Sequence, residues 1–523
     1  MPEYLRALIV ILVLSTVVFA FAKAPACALA MAPKDFERRR NLWFGIVFAG
    51  FLAHNFWIYN IVAVALLFFA FPREQNKLAM FFFLLFAMPP IPAQITGFGV
   101  INYLFTIDYI RLLTLVILLP AFFSLQKQPN VERFGRSIPD KLLACYIVLL
   151  FLLDLRVDTF TNALRRGAFY PFIDIFLPYY VASRSLKNLE EFRDALMGFA
   201  VAALVLSAIG VFEFAKHWLL YAPLNTVFGN WAWGLNYLER GVGSGLLRAQ
   251  ATTGHPIALG YVIAVATGFF LYLRRSVPNS TLWNLGFALL ILGLIAPISR
   301  GPWVGAATML LIFVATGPSL GRTLAILGML SVVILPVLLA TPAGETIRHY
   351  MPFIGTVEEQ NVTQRQELLE VSIETIKQNP LFGTPYYLAS NAMQELRHAG
   401  MIDVVNTFLG IGLSYGLVGL SLFSGFFVAV GVGIFKSMRK LVNRSDEHYL
   451  LGQVLFSALL AIVIIIATVS SISFIPVVYW SVAGLGVGYV RMLASKKGDF
   501  SPELAKSRPM TEERTRARTT PAR

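Results

Sequence analysis

Fifteen apolar runs account for more than half of this chain, and they leave little choice of fold. They lie near 4–22, 42–56, 58–72, 77–93, 104–124, 140–154, 168–184, 194–217, 254–273, 282–298, 302–317, 323–340, 404–435, 449–469 and 474–491. A segment of about 17 to 25 apolar residues is the length needed to cross roughly 30 Å of hydrocarbon. Inside hydrocarbon every backbone polar group must find its partner within the protein, so such runs become helices. With 57% hydrophobic and only 14% charged residues, the composition agrees. Several runs are short or closely spaced, so the expectation is an all-α polytopic membrane protein with about 12 to 15 transmembrane helices. Its expected parts are a helical bundle over 1–340, a hydrophilic loop subdomain over 341–403, further spans over 404–491 and a disordered basic tail over 492–523.

Orientation follows from Lys and Arg, which accumulate in short cytoplasmic loops. The basic clusters fall at 34–40, 73–77, 127–136, 184–193, 274–275, 322 and 436–444. Counting the fifteen runs in order places all of them, and the C-terminal tail, on one side. The opposite side receives 155–167, 218–253, the Ser299-Arg300-Gly301 break and the long stretch 341–403. This arrangement puts the N-terminus outside. The first thirty residues also carry a leader-like pattern ending in Ala28-Leu29-Ala30, but cleavage there would leave the basic cluster of residues 38–40 outside, against the charge rule. Much of the formal net charge of +14 is thus a topology signal, the tail being suited to anionic lipid. No feature points to nucleic acid.

Two cysteines, Cys27 and Cys145, are too few for a disulfide framework or a cysteine metal site. The six histidines show no metal-ligand spacing, and no phosphate-binding glycine loop is present, so neither a metal nor a nucleotide cofactor is expected.

The chemistry gathers in the outward-facing segments. Arg300 sits in Ser299-Arg300-Gly301-Pro302-Trp303, between two apolar runs, where contact with lipid would cost about 2.5 to 3.5 kcal/mol. It is therefore expected to bind something anionic or face an aqueous cavity. Arg248 and Arg365 fall on the same side, and three permanent cations facing one compartment suggest a phosphate-bearing substrate. Thr363 and Gln366 form a capping box, which would put Arg365 in the first turn of an amphipathic helix stopped by Asn379-Pro380. An anion is favoured at such a terminus before the guanidinium is counted. A second helix is expected at roughly 386–398, with Asp403 capping the following span. His255, before Pro256, begins another span. Each residue also has a plain role available: an interfacial anchor for Arg248, a solvated face for Arg365, a structural hydrogen bond for His255.

Three blocks resemble the O-antigen ligase and O-antigen polymerase superfamily of bacterial membrane glycosyltransferases. They are Leu247-Arg248-Ala249 through Gly254-His255-Pro256, then Ser299-Arg300-Gly301-Pro302-Trp303, then Arg365 through Pro380-Leu381-Phe382-Gly383 to Asn406-Thr407-Phe408-Leu409 and Tyr415-Gly416-Leu417. Their order and spacing over about 240 to 420, more than any one motif, carry the likeness. The resemblance implies an integral-membrane (GT-C-type) glycosyltransferase architecture, acting without metal on undecaprenyl-diphosphate-linked glycan at the periplasmic face of the inner membrane. It also implies membrane lipids and other polysaccharide assembly and export proteins as partners.

On that resemblance Arg248, Arg300 and Arg365 would act in catalysis, since planar bidentate donors suit the phosphate oxygens of a departing lipid diphosphate. Deprotonating an acceptor hydroxyl calls for a base, with Asp403 the candidate and Glu370 and His398 the others considered. His255, Asn406, Ser299, Trp303 and His398 would contact substrate. Many ligases of the family carry His before the Asn that starts the span after the loop, whereas this chain has Val405-Asn406. That variant resembles polymerase members of exopolysaccharide pathways, and the expectation is a polymerase of lipid-linked repeat units. A ligase transferring glycan from the same carrier to lipid A-core is the nearest alternative. A transporter or flippase, which would show internal repeats, is the alternative of another class.

Overall fold

The computed structural model describes residues 1–97, 103–228, 246–277, 279–317, 359–396 and 404–499. Its first helices are α1 (Glu3–Leu29), α2 (Pro33–Leu52), α3 (Phe56–Ala70) and α4 (Lys77–Leu84). A two-stranded antiparallel hairpin, β1 (Ala93–Thr96) and β2 (Tyr103–Ile107), separates these from α5 (Tyr109–Gln126) and α6 (Ile138–Asp154). α7 runs continuously over 160–184 and contains two π-helical stretches, Leu164–Phe169 and Phe172–Phe176. Then come α8 (Leu189–Lys216), α9 (Pro256–Tyr272), α10 (Ser280–Ile295), α11 (Arg300–Ala315) and α12 (Glu359–Gln378). α13 (Thr407–Arg439), α14 (Glu447–Ile466) and α15 (Ile475–Asp499) complete the described chain.

Seven of the described helices are long and apolar enough to cross a membrane, and α9, α10 and α11 are shorter apolar helices. The chain is an all-α polytopic membrane protein. Short polar residues between the apolar runs start the helices, because a side-chain oxygen there satisfies otherwise orphaned N–H groups at about 1 kcal/mol each. Asn55, Asn188, Asn279 and Asp446 do so for α3, α8, α10 and α14.

The run at 77–93 departs from expectation. It forms the eight-residue α4, whose residues 78–84 are all buried, and Pro89, Pro90 and Pro92 then prevent a continued helix. The hairpin follows. The run at 323–340 lies outside the described residues, and α15 continues to Asp499, past the expected start of the tail at 492.

α8 is the central element, packing against α1, α4, α9 and α10. Between its charged ends, residues 195–212 are apolar all round, as a helix enclosed by others requires. Gly198 permits one of these approaches, since a Cβ there would lie 2.8 Å from the Ala79 carbonyl oxygen on α4.

The two ends of the bundle differ in character. At one, Arg39 is fully buried between Glu74 and Asp194, at 2.7 and 2.6 Å. There too Asp140 accepts from Arg184 and Arg491, and Tyr272 donates to Glu447. These residues lie toward the C-termini of α7, α9 and α15 and the N-termini of α2, α4, α6, α8 and α14, so the described basic clusters gather at one end. At the other end Trp218 donates to Glu3 at 3.0 Å, and the loops before α9, α11, α13 and α15 meet.

Candidate functional site at the helix N-termini

α9, α11, α13 and α15 all begin at the end opposite the basic clusters, and the loops that precede them are tied to one another. Arg248 Nε donates to the Pro297 carbonyl oxygen at 3.1 Å, while Ala249 N–H donates to Ala296 O at 3.2 Å. Arg248 therefore rests on the turn that leads, through Ile298 and the buried Ser299, into Arg300 at the first position of α11. Gly301 packs on the next loop: a Cβ there would be 2.7 Å from Thr468 Oγ1 and 3.5 Å from Val469. Val469 O in turn accepts from the N–H and hydroxyl of Thr407, at 3.0 and 2.9 Å. Ser473 closes the ring by donating to Thr253 O at 2.7 Å. Segments far apart in sequence thus form one polar patch holding Arg248, His255, Arg300 and Asn406.

Helix N-termini carry partial positive charge and unsatisfied N–H donors, so several converging on one patch favour an anion. His255 caps α9, its Nδ1 accepting the Ile257 N–H at 3.2 Å, which leaves the ring proton on Nε2. A ring whose Nδ1 accepts carries one proton only, so the imidazole is neutral. Such a ring donates a hydrogen bond through Nε2–H and does not add a cation. Asn406 caps α13 by accepting from Phe408 and Leu409 N–H at 2.9 and 3.1 Å, so the part of its carboxamide outside the cap is the NH2. This corrects the expectation that Asp403 caps the span; Asp403 itself, like His398, lies outside the described residues. Trp303 turns inward, donating to Leu294 O at 2.7 Å across the α10–α11 junction.

Arg365 is exposed, and its setting differs from the expected one. α12 already begins at Glu359, so Thr363 lies within it and Arg365 is its seventh residue, beyond the first turn. The expected second helix is reduced to Tyr387–Ala389 and Asn391–Glu395 in the described part. α12 joins the bundle at its other end. After it, Thr384 N–H donates to Leu413 O at 2.8 Å, and Leu417 N–H donates to Pro380 O at 2.7 Å. These bonds form at a break in α13, where Gly416 has φ +65°.

Two features of the patch were not foreseen. Glu213, fully buried on α8, accepts from Leu220, Gln250 and Ala251 N–H at 3.0, 2.9 and 2.8 Å, and so holds the loop bearing Arg248. A lone glutamate near the end of an apolar run was the available signal. The second feature is the α14–α15 turn with Thr468, Ser470, Ser471 and Ser473, four hydroxyls in six residues between apolar runs. Backbone strain concentrates here as well: of the five described non-glycine residues with positive φ, Ala251, Ile298 and Ser473 are in these loops. Such strain persists only where surrounding contacts enforce it, as at functional sites. Among the described residues no group of three or more His, Cys, Asp or Glu is placed to hold a metal.

Residues 285–424 match the family model described as O-antigen ligase, a stretch that includes Ser299, Arg300, Arg365 and Asn406. The match supports the resemblance of this region to the O-antigen ligase and polymerase superfamily, whose members are glycosyltransferase-like enzymes. Arg248 and His255 precede the matched stretch yet pack against it. No curated protein matches the chain.

Proposed function

We propose that this protein polymerises undecaprenyl-diphosphate-linked polysaccharide repeat units at the periplasmic face of the inner membrane. The observation that carries the reading is the joining of Arg248 and Arg300, through Pro297 and the short turn after it, amid several helix N-termini. An anion-binding patch at the membrane end opposite the basic clusters suits a diphosphate whose lipid tail remains in the bilayer.

In the reaction a hydroxyl of one repeat unit attacks the anomeric carbon of another. The new C–O bond forms as the bond to the diphosphate breaks, and the bonding pair leaves with undecaprenyl diphosphate. Negative charge grows on the departing oxygen, where guanidinium groups already fixed in place stabilise it without reorganisation. Arg248 and Arg300 take that role, and Arg365 on α12 is the third arginine assigned to it by the family pattern. The neutral His255 suits a hydrogen-bond donor to substrate, not a base, because Nδ1 is engaged and Nε2 carries its proton. The hydroxyl proton goes to a base, for which Asp403 is the candidate. Cleavage of the glycosyl diphosphate supplies the driving force, so neither metal nor nucleotide enters the scheme.

Val405 before Asn406 favours the polymerase reading, whereas the matched family description favours a ligase. Purified full-length protein given only undecaprenyl-diphosphate-linked repeats, with chelator and without ATP, distinguishes them. A polymerase lengthens the glycan and releases undecaprenyl diphosphate. Extension seen only after lipid A-core is added would identify a ligase, and translocation without a new glycosidic bond would overturn both readings.

A further inference from the structure

A groove of about 240 Å3 opens between α1, α8 and α10, in the half of the bundle remote from the arginine patch. Val17 and Phe21 come from the C-terminal half of α1, Val201 from the N-terminal half of α8, and Trp283 and Leu285 from the start of α10. All these positions lie toward the end that carries the basic clusters, so the groove belongs to one leaflet. Its floor is flat. The Phe270 and Trp283 rings stack at 5.5 Å and 17°, and Trp283 continues onto Phe287 at 5.2 Å and 11°. Gly286 permits this, since a Cβ there would lie 2.7 Å from Phe270 Cζ.

Arg274 stands at the mouth. Its guanidinium lies 5.4 Å from the Trp283 ring, and its Nη1 donates to Val277 O at 2.9 Å; both partners line the groove. Arg274 is exposed, and among the described residues no carboxylate pairs with it.

We infer that this groove holds one acyl chain of an anionic phospholipid, whose phosphate is bound by Arg274. The lining on α10 spans about 10 Å at 1.5 Å per residue, most of one leaflet of a hydrocarbon core about 30 Å thick. A cation fixed where the apolar groove ends complements a phosphate at the leaflet surface, and one such cation favours anionic lipid about fivefold, the equivalent of about 1 kcal/mol. A polyprenyl diphosphate fits less well, because its headgroup belongs at the opposite end of the bundle.

The test uses the full-length protein in phosphatidylcholine vesicles containing either brominated phosphatidylglycerol or brominated phosphatidylcholine. Bromine quenches nearby tryptophan, and the difference between the native protein and Trp283→Phe isolates Trp283 from the other tryptophans. Quenching of Trp283 should show about a fivefold preference for phosphatidylglycerol, and Arg274→Gln, an exposed change, should abolish that preference. Equal quenching by the two lipids, or an unchanged preference in Arg274→Gln, would overturn the assignment. So would absence of quenching, as expected if a second copy of the chain covered the groove, or displacement of phosphatidylglycerol by undecaprenyl phosphate. None of these outcomes depends on glycan synthesis.

Discussion

Gly383 and Gly416 meet backbone to backbone where the segment after α12 joins the break in α13. Both have positive φ, +61° and +65°. A Cβ on Gly383 would lie 2.6 Å from Gly416 N, and one on Gly416 would lie 2.4 Å from the Leu381 carbonyl oxygen. Left-handed backbone costs a residue with a side chain about 1 to 2 kcal/mol, before any steric overlap. The junction fixes where α12, and with it Arg365, joins the membrane bundle.

Gly416→Ala should therefore lower the unfolding temperature in detergent and reduce glycan formation together. Gly425→Ala is the control: the nearest atom to a Cβ there is Leu142 Cδ1 at 3.9 Å, and stability should be unchanged or slightly higher. Equal behaviour of the two variants would show that the junction is not needed.

The buried Glu213 makes a second test, because three backbone N–H groups depend on it. Glu213→Ala leaves those donors unsatisfied, at about 1 to 3 kcal/mol each. Glu213→Gln keeps one acceptor oxygen and should be less damaging. Thermal unfolding should rank native protein above Glu213→Gln and Glu213→Ala lowest; an alanine variant as stable as the native protein would refute a role in holding the Arg248 loop.

Arg300→Lys and Arg365→Lys keep the charge but lose the planar fork that binds two phosphate oxygens at once. On the proposed mechanism each should reduce polymer formation about 100-fold, the scale of losing one transition-state donor, with normal insertion and abundance. Near-normal polymer at normal abundance would mark the arginine as an anchor.

Topology is tested in a cysteine-free background. Glu370→Cys, on the exposed face of α12, should react with an impermeant reagent in intact cells, whereas Arg444→Cys should react only after the inner membrane is opened. The reverse result would invert the proposed orientation.

Membrane character, most of the helices and the grouping of basic clusters were readable from the chain, because they depend on local hydrophobicity and on counting crossings. Arg300 stood out too, since a guanidinium between apolar runs demands a partner wherever the chain folds. Hydrophobicity alone did not distinguish the eight-residue α4 from a full span: its side chains are buried by α8 and other helices, not by lipid, and that is a property of neighbours. The end of α12 was marked by Asn379-Pro380, but its start preceded the capping box because the helix continues through Thr363. Only tertiary structure showed that Glu213 holds the Arg248 loop, that the 468–473 hydroxyls complete the patch, and that Gly383 meets Gly416. Each relationship joins residues distant in sequence through backbone groups, which every residue possesses, so no local pattern of side chains could announce the pairing.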